Sequence, residues 1–232
     1  MERKILIATK NQRVCGRIMK PTVIFIQMKN FSQKLNWKKT GLLLKEGVIG
    51  VLATDTLYGI CGPALNKKTV EKIYKLRKRN PKKPMIVLIS SFNDLKKFKV
   101  KLKKWQKEIL EKIWPSRISV ILPCFSEKFS YLHRGTKTIA FRFPAKKELL
   151  KILSISGPLA APSANWEGYK PAKNISEAGK YFGNRVFYHD AGKLEGKPST
   201  LIDITRKPIK ILRPGADYPT NIIKKSPIRL SA

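Results

Sequence analysis

Apolar and polar positions change period several times along the chain, and each period predicts a type of secondary structure. Residues 47–54 form a nearly unbroken apolar run, which predicts a buried strand ending in a turn. Over residues 69–78, the positions of one helix face recur at helical spacing, at Val70, Ile73, Tyr74 and Arg77. Pro81 and Pro84 end this helix. The wholly apolar residues 85–89 then predict a strand that is covered on both faces.

The rest of the chain continues this mixture of helical and extended patterns. A second predicted helix has one apolar face, made by Leu102, Trp105, Ile109 and Ile113. Asn174 and Glu177 form a capping-box pair that opens a third helix, predicted to run through Phe182. Further strands are predicted at 118–122, 138–143, 158–161, 185–188, 200–204 and 209–212. Because strict βαβ alternation is missing, we expect an α/β fold with a twisted mixed sheet flanked by helices.

The two ends of the chain differ from its middle. Residues 1–33 contain two short strand patterns, at 5–8 and 22–26, but no pattern that suggests catalysis. We therefore predict an N-terminal extension over 1–33, a catalytic domain over 34–220 and a basic C-terminal tail over 221–232. A chain of 232 residues is long enough for one domain with a real core plus an appendage.

Composition narrows the class of protein. With 42% hydrophobic residues, the chain favours a folded globule over a disordered basic tail. Its apolar runs are far shorter than a membrane span, and no secretory signal is recognisable. The three cysteines, Cys15, Cys61 and Cys124, are widely spaced and form no CxxC pair, so the sequence suggests neither a disulfide framework nor a thiolate metal site. These features indicate a cytoplasmic protein with no membrane partner.

The net charge is extreme, with 49 Lys+Arg against 15 Asp+Glu and a formal charge of +34. A field of this size attracts polyanions such as nucleotides or RNA. The lysines are spread over the whole chain and form no confined stripe, so a solvated basic surface explains the charge equally well. Charge alone predicts anionic partners without naming one.

Four polar segments are candidates for chemistry. Residues 54–59 (TDTLYG) follow a strand and offer two threonine hydroxyls and a tyrosine hydroxyl to a small polar substrate, although a capped turn is an equal alternative. Residues 77–84 (RKRNPKKP) place guanidinium groups and Lys83 where phosphate oxygens could bind, against the alternative of a solvated basic run. Residues 158–165 end a buried strand in Ser-Ala-Asn, and Arg213 is followed by a rigid Pro-Gly.

Taken in order, these segments resemble the pattern of the YrdC-type L-threonylcarbamoyladenylate synthases over about 45–216. The resemblance implies a twisted, open, mixed and largely parallel sheet around a deep basic cleft. It also implies catalytic roles for Arg77 and Arg79. The implied ATP contacts, which include the phosphate contact inferred above for Lys83, are Arg79, Lys83, Thr138, Asn165 and Arg213. The implied L-threonine contacts are Thr56, Arg142, Ser163 and Ser199.

The sequence departs from the family pattern at several positions. Ala53 replaces the proline that opens the family's Pro-Thr-Asp-Thr motif, and Arg77 replaces the lysine of its Lys-x-Arg motif. The family's Pro-Gly-Pro-x-Thr loop reads PSRIS at 115–119. A guanidinium keeps the charge of the lysine but not its compact geometry. These departures bear on the rate of turnover more than on the kind of ligand.

The family's reaction joins L-threonine, bicarbonate or CO2, and ATP into threonylcarbamoyl-AMP, and it releases pyrophosphate. The resemblance therefore implies Mg2+ bound with ATP, a downstream tRNA threonylcarbamoyl transferase machinery as partner, and a role in t6A modification of tRNA adenosine 37. Two alternatives stay open: a non-catalytic RNA-binding module that uses the same basic cleft, and the carbamoyl-adenylate chemistry of hydrogenase maturation. This chain lacks the CxxC zinc motifs that are expected of the longer hydrogenase-maturation proteins, which counts against the second alternative.

Overall fold

The computed structural model describes residues 35–220 in full, together with the backbone of strands at 4–8, 13–14, 17–18, 23–27 and 229–230. The chain divides into two compact units, residues 1–34 and residues 35–232. In the first unit, antiparallel pairs join β1 to β4 and β2 to β3; their bounds are β1 (Lys4–Ala8), β2 (Arg13–Val14), β3 (Arg17–Ile18) and β4 (Val23–Gln27). The strands predicted at 5–8 and 22–26 are confirmed. The predicted 221–232 tail lies outside the described residues apart from one short strand.

The second unit combines helices and strands throughout its length. Its strands are β5 (Gly50–Ala53), β6 (Tyr58–Pro63), β7 (Ile86–Leu88), β8 (Ile118–Pro123), β9 (Thr138–Arg142), β10 (Leu159–Ala160), β11 (Phe187–His189), β12 (Thr200–Asp203), β13 (Lys210–Arg213) and β14 (Arg229–Leu230). Its helices are α1 (Trp37–Lys45), α2 (Lys67–Leu76), α3 (Asn93–Lys97), α4 (Lys104–Ile113), α5 (Ser130–His133), α6 (Lys147–Ser156) and α7 (Ile175–Phe182). Two 3₁₀ turns lie at Glu127–Phe129 and Gly183–Arg185.

These strands form one ten-stranded sheet in the order β11–β5–β6–β10–β7–β9–β8–β12–β13–β14. Parallel pairing joins β11 to β5, β7 to β9, β8 to β12 and β13 to β14, and the other neighbouring pairs are antiparallel. The prediction of a mixed sheet flanked by helices is therefore confirmed. The long connection from β6 to β10 places strands in contact that are nearly a hundred residues apart in sequence.

Local sequence explains the best-predicted elements. The predicted face of α2 is buried, and Asn66 caps the helix by accepting a hydrogen bond from the Thr69 amide at 3.2 Å. Of the capping box predicted for α7, the Asn174 half is present, since Asn174 Oδ1 accepts from the Glu177 amide at 2.8 Å. The Glu177 carboxylate accepts from the Lys173 amide at 2.9 Å. The sequence reading missed α1 and α6, and it took residues 54–59 for a turn although Tyr58 already opens β6.

Aromatic side chains fill the centre of the second unit. The ring centroid of Phe98 lies 5.3 Å from that of Phe129 and 5.2 Å from that of Phe141, and all three side chains are buried. Strand β7 is buried at Val87 and Leu88, as its apolar sequence predicts. Within the described part of the chain, every helix is too short or too polar to cross a bilayer.

Candidate active site

The turn between β5 and β6 is organised by one threonine. Thr54 Oγ1 donates to the Leu57 carbonyl at 2.7 Å and accepts from the amides of Thr56 and Leu57 at 3.2 and 3.3 Å. It also lies 3.1 Å from Thr56 Oγ1. A hydroxyl that satisfies this many backbone groups makes the turn rigid, so that the adjacent Thr56 hydroxyl has a fixed position.

A second loop is attached to the same edge of β6. Ser163 forms an antiparallel bridge with Gly59, and the Ala164 amide donates to the Tyr58 carbonyl at 2.8 Å. The Ile60 amide donates to the Pro162 carbonyl at 2.9 Å. These backbone bonds hold the Ser-Ala-Asn loop beside the Thr54–Leu57 turn, although about a hundred residues separate the two segments.

Arg77 follows the last residue of α2 and is only 3% exposed. Its Nε donates to the Asn165 carbonyl at 3.1 Å, and its Nη2 donates to Ser163 Oγ and to Asn165 Oδ1, both at 3.2 Å. Burial, and after it the positive charge of Arg79, lowers the pKa of Arg77 to about 10. In the described part of the chain its Nη1 is buried without a hydrogen-bond partner.

Arg142 ends β9 and reaches the same turn, with only 4% of its side chain exposed. Its Nη1 donates to Thr56 Oγ1 at 3.1 Å, and its Nη2 lies 3.1 Å from Asp55 Oδ1 in an ion pair. Burial lowers the pKa of Arg142, and the neighbouring Asp55 carboxylate opposes that shift. Among the described residues, no group accepts a hydrogen bond from its Nε.

Arg213 ends β13 and is held through Ser199. Its Nη2 donates to the Ser199 carbonyl at 2.8 Å and lies 3.3 Å from Ser199 Oγ. Ser199 Oγ in turn lies 2.8 Å from Ser119 Oγ, the last residue of the PSRIS loop. Although that loop differs from the family pattern, it retains a hydroxyl that positions Ser199.

The segment from His189 to Ser199 crosses the Thr54–Leu57 turn. The Tyr58 hydroxyl donates to the Gly192 carbonyl at 2.7 Å and accepts from the Ala191 amide at 3.1 Å. A Cβ atom at Gly196 would collide with the Thr56 carbonyl oxygen, so only glycine lets the two backbones approach this closely. This close contact brings the end of the segment, Pro198 and Ser199, to the site.

All of these segments border one cavity of about 170 Å³. Seven of the predicted site residues line it: Thr56, Arg77, Arg79, Arg142, Ser163, Ser199 and Arg213. Thr54, Tyr58 and Pro198 also line it, and the sequence reading did not assign them. Thr54 and Tyr58 belong to the hydroxyl-rich motif already noted. Pro198 is next to Ser199 in the sequence, but nothing local indicates its position.

Three predicted site residues do not line this cavity. Asn165 is buried, and its amide donates to the carbonyls of Trp166 and Tyr169 at 2.6 and 2.8 Å, while its Oδ1 accepts from Arg77. Lys83 is exposed and pairs with Glu167 at 2.6 Å. Thr138 opens β9, so its Cα lies about 13 Å from that of Arg142 on the same face of the strand. The ATP contacts predicted for these three residues stay predictions.

The cavity is suited to anions. Four arginines line it, and among the described residues of its lining none is acidic. Among the described residues, Arg77 Nη1 and Arg142 Nε have no hydrogen-bond partner, and the guanidinium group as a whole matches the geometry of carboxylate and phosphate oxygens. The described residues also contain no group of three His, Cys, Asp or Glu side chains that could hold a metal ion. The deep basic cleft implied by the resemblance stays a prediction.

Comparison with known proteins gives the family. The model of the Sua5/YciO/YrdC family, described as "Telomere recombination", matches residues 42–215. This match covers most of the chain, and all seven cavity-lining residues that the family pattern predicts lie within it. The chain therefore belongs to the Sua5/YciO/YrdC family.

Curated relatives point to one activity. The chain is 31% identical over 176 residues to the threonylcarbamoyl-AMP synthase of Pyrococcus abyssi, covering 74% of this chain and 52% of that protein. It is 33% identical over 172 residues to the putative threonylcarbamoyl-AMP synthase of Methanocaldococcus jannaschii, covering 73% of this chain and 80% of that protein. The chain thus spans about half the length of the Pyrococcus abyssi relative.

The structural comparison agrees with the sequence comparison. The crystal structure of Pyrococcus abyssi Sua5 complexed with L-threonine matches with a TM-score of 0.76 and 28% identity. The match covers 85% of this chain and 61% of the other. The YrdC-type fold predicted from the sequence is confirmed.

Proposed function

We propose that this chain is an L-threonylcarbamoyladenylate synthase. It would form threonylcarbamoyl-AMP and pyrophosphate from L-threonine, bicarbonate or CO2, and ATP, and so supply the activated intermediate for t6A modification of tRNA. One observation carries this proposal: Thr56, Arg79, Arg142, Ser163 and Arg213, drawn from segments far apart in sequence, line a single cavity. Short hydroxyls beside guanidinium groups suit an amino acid carboxylate and a polyphosphate.

The reaction places two demands on the site. The neutral threonine amine attacks CO2 and loses a proton to solvent, which gives an anionic carbamate. An oxygen of this carbamate then attacks the α-phosphorus of ATP. The bond between the α-phosphorus and its bridging oxygen breaks, and pyrophosphate leaves. Because the carbamate is already anionic, this step requires no general base. The site must instead bring together several negative groups and hold them in line.

The arginines meet these demands in different ways. Arg79 is half-buried at the cavity, and its Nη2 is fixed by the Pro84 carbonyl at 2.7 Å, so its remaining donors can neutralise the phosphates. Arg142 and Thr56 are joined at 3.1 Å and would orient the threonine carboxylate together. Arg77 would act mainly by holding Ser163 in place. This assignment moves Arg77 from the catalytic role implied by the family pattern to a supporting role.

Mg2+ would enter with ATP. Because no acidic residue is found among the described residues that line the cavity, the donor set does not fit a resident cation. It fits a nucleotide whose own phosphates carry the ion, which is how Mg2+ is commonly bound. The ion would supply neutralisation of the phosphate charge.

Partners and location follow from the substrates. We propose that the product passes to a tRNA threonylcarbamoyl transferase, and that the protein acts in the cytoplasm, where ATP and tRNA are available. Cys61 and Cys124 are buried and unpaired, which agrees with a reducing compartment. Direct RNA binding stays a separate prediction, because the +34 charge permits it without identifying a surface.

The proposal is tested by incubating the purified chain with ATP, Mg2+, L-threonine and bicarbonate. We expect pyrophosphate release that stops when any one substrate is omitted, and threonylcarbamoyl-AMP detected by mass spectrometry. D-threonine, which presents its side chain with the opposite hand, is a matched control and should support little turnover. Tight binding of RNA without threonine-dependent pyrophosphate release would overturn the proposal in favour of an RNA-binding module.

A further inference from the structure

Asp55 carries one of only 15 carboxylates in a chain with 49 Lys+Arg, and it lies directly beside the cavity. Its side chain is 6% exposed and pairs with Arg142 Nη2 at 3.1 Å. Among the described residues, neither of its oxygens has a well-directed hydrogen-bond donor. A buried carboxylate with so little other support is costly, so its position requires a specific partner.

The usual structural roles of an aspartate in a turn are already filled. Thr54 Oγ1, not Asp55, accepts from the amides of the turn. Asp55 caps no helix, since the turn joins β5 to β6. Among the described residues, the polar contact that remains is the ion pair with Arg142, and Arg142 also donates to Thr56 Oγ1. Two neighbouring residues of one rigid turn therefore hold two different nitrogens of the same guanidinium.

We propose that Asp55 is a positioning residue that fixes the guanidinium of Arg142 for binding the carboxylate of the amino acid substrate. With Nη1 and Nη2 anchored by Thr56 and Asp55, the plane of the guanidinium cannot rotate, and the remaining N–H groups stay directed at one place. The carboxylate also provides the counter-charge that keeps a buried arginine inside the site. This inference deepens the proposed function and rests on it.

Loss of Asp55 has a defined consequence under this proposal. In Asp55→Asn the side chain keeps its shape but loses its charge, so Arg142 is buried without a counter-ion. The guanidinium then moves toward solvent or binds an anion from the buffer, and the substrate carboxylate must compete with these states. Affinity for L-threonine should fall, while affinity for a nucleotide should change little.

The test measures L-threonine binding by isothermal titration calorimetry, without ATP, in a four-variant cycle. The variants are the wild type, Asp55→Asn, Arg142→Gln and the double variant. We expect each single variant to raise the Kd for L-threonine at least 10-fold. The double variant should have the same Kd for L-threonine as Arg142→Gln, because Asp55 acts through Arg142. Binding of a non-hydrolysable ATP analogue, measured in parallel, should stay within about threefold of the wild type.

The control variant is Asp94→Asn, which neutralises another buried carboxylate at a residue that is not part of the cavity lining. Asp94 accepts from Ser90 and pairs with Lys97 at 2.7 Å. The Asp94→Asn variant should lower the melting temperature without changing the Kd for L-threonine. If Asp55→Asn does not fold, Asp55→Glu, which moves the carboxylate by one methylene, should still raise the Kd.

The other possible outcomes separate the positioning role of Asp55 from the proposed function of the chain. Unchanged or tighter L-threonine binding by folded Asp55 variants would overturn the positioning role and leave the proposed function intact. Additive losses in the double variant would likewise overturn it, because they would mean that Asp55 acts independently of Arg142. A wild type that binds no L-threonine would overturn the proposed function, and this inference with it.

Discussion

Arg77 and Asn165, which lie 88 positions apart in the sequence, are joined by two hydrogen bonds. Arg77 Nε donates to the Asn165 carbonyl at 3.1 Å, and Arg77 Nη2 donates to its side-chain Oδ1 at 3.2 Å. The same Nη2 also contacts Ser163 Oγ. The fork of a guanidinium can bind several acceptors in one plane, whereas an ammonium is a single point charge. In this chain, therefore, Arg77 makes a set of hydrogen bonds to the Ser163–Asn165 loop that the family's lysine could not make.

Arg77→Lys should for this reason lower both stability and activity, although it restores the usual family residue. At least two of the three hydrogen bonds would be lost, and a buried acceptor would be left unsatisfied. We expect the free energy of unfolding to fall by about 2–4 kcal/mol. Because Ser163 would lose its fixed position, kcat/KM should fall about 10-fold or more. Urea denaturation and threonine-dependent pyrophosphate release measure the two effects.

Arg206→Lys is the matched control, because Arg206 is exposed. It should leave both quantities within experimental error of the wild type. If Arg77→Lys retained full stability and equal or higher activity, the guanidinium would be a mere replacement for lysine without a structural role of its own.

Arg79 also lines the cavity but provides a different prediction, because among the described residues its guanidinium donates only to the backbone carbonyls of Lys83 and Pro84. Arg79→Ala should lower kcat/KM by roughly 30- to 1000-fold, which corresponds to ~2–4 kcal/mol of lost transition-state stabilisation. Lys103→Ala, at an exposed position just before α4, should cost less than about 1 kcal/mol. Steady-state pyrophosphate release compares them. Equal and small losses would mean that the 77–84 segment is part of a generally basic surface.

Elements that depend on neighbouring residues were predicted well from the sequence. The face of α2 and the Asn174 cap of α7 were predicted because they need only three- and four-residue spacing. Strand β7 was predicted because five adjacent apolar residues indicate burial on both faces. Helix α6 was missed although Leu149, Ile152 and Leu153 have helical spacing, so that signal was present in the sequence.

The candidate site could be predicted only in part, because contacts between residues far apart in the sequence leave no local pattern. Thr56, Arg79 and Arg142, which the family pattern assigns to ligand contacts, line one cavity. No local pattern could show that Asn165 would have its amide occupied by the carbonyls of Trp166 and Tyr169. Partners such as Arg77 and Asn165 are determined by the order of strands in the sheet, which periodicity does not reveal.

Tyr58→Phe should loosen the segment from His189 to Ser199. The hydroxyl makes two hydrogen bonds to this segment, at Gly192 and Ala191, and its ring is fully buried. Removing a hydroxyl that satisfies two backbone groups costs about 1–3 kcal/mol of local stability. We expect the Ala191 amide to exchange at least fivefold faster in hydrogen–deuterium exchange mass spectrometry. KM should rise a few-fold because Ser199 ends the segment.

The control for this experiment is Tyr181→Phe, whose hydroxyl donates to the Lys170 carbonyl at 2.9 Å outside the segment. Its exchange changes should be confined to the neighbourhood of Lys170. If Tyr58→Phe left exchange around Ala191 unchanged, the close contact at Gly196 alone would be sufficient to hold the segment.

His189 links stability to pH. It ends β11, is buried, and its Nδ1 lies 2.7 Å from Thr40 Oγ1 in α1. Its Nε2 lies 3.5 Å from Glu148 Oε1, whose side chain is about half exposed. Burial lowers the pKa of His189 below its ordinary value of 6.5, and the Glu148 carboxylate opposes the shift without cancelling it. The neutral ring is therefore the form that suits the folded protein.

The sign of the pH effect follows from this direction. Below about pH 6.5 the unfolded chain binds a proton at His189 more readily than the folded chain does, so folding stability decreases as the pH falls through this window. For one proton the slope cannot exceed about 1.4 kcal/mol per pH unit. Urea denaturation of the wild type and of His189→Asn between pH 5 and 8 isolates the contribution, since asparagine keeps a partner for Thr40 but does not titrate. The difference in stability between them should favour the wild type more at pH 8 than at pH 5. A difference that is constant, or that grows toward pH 5, would mean that His189 is protonated in the folded protein and stabilised by Glu148.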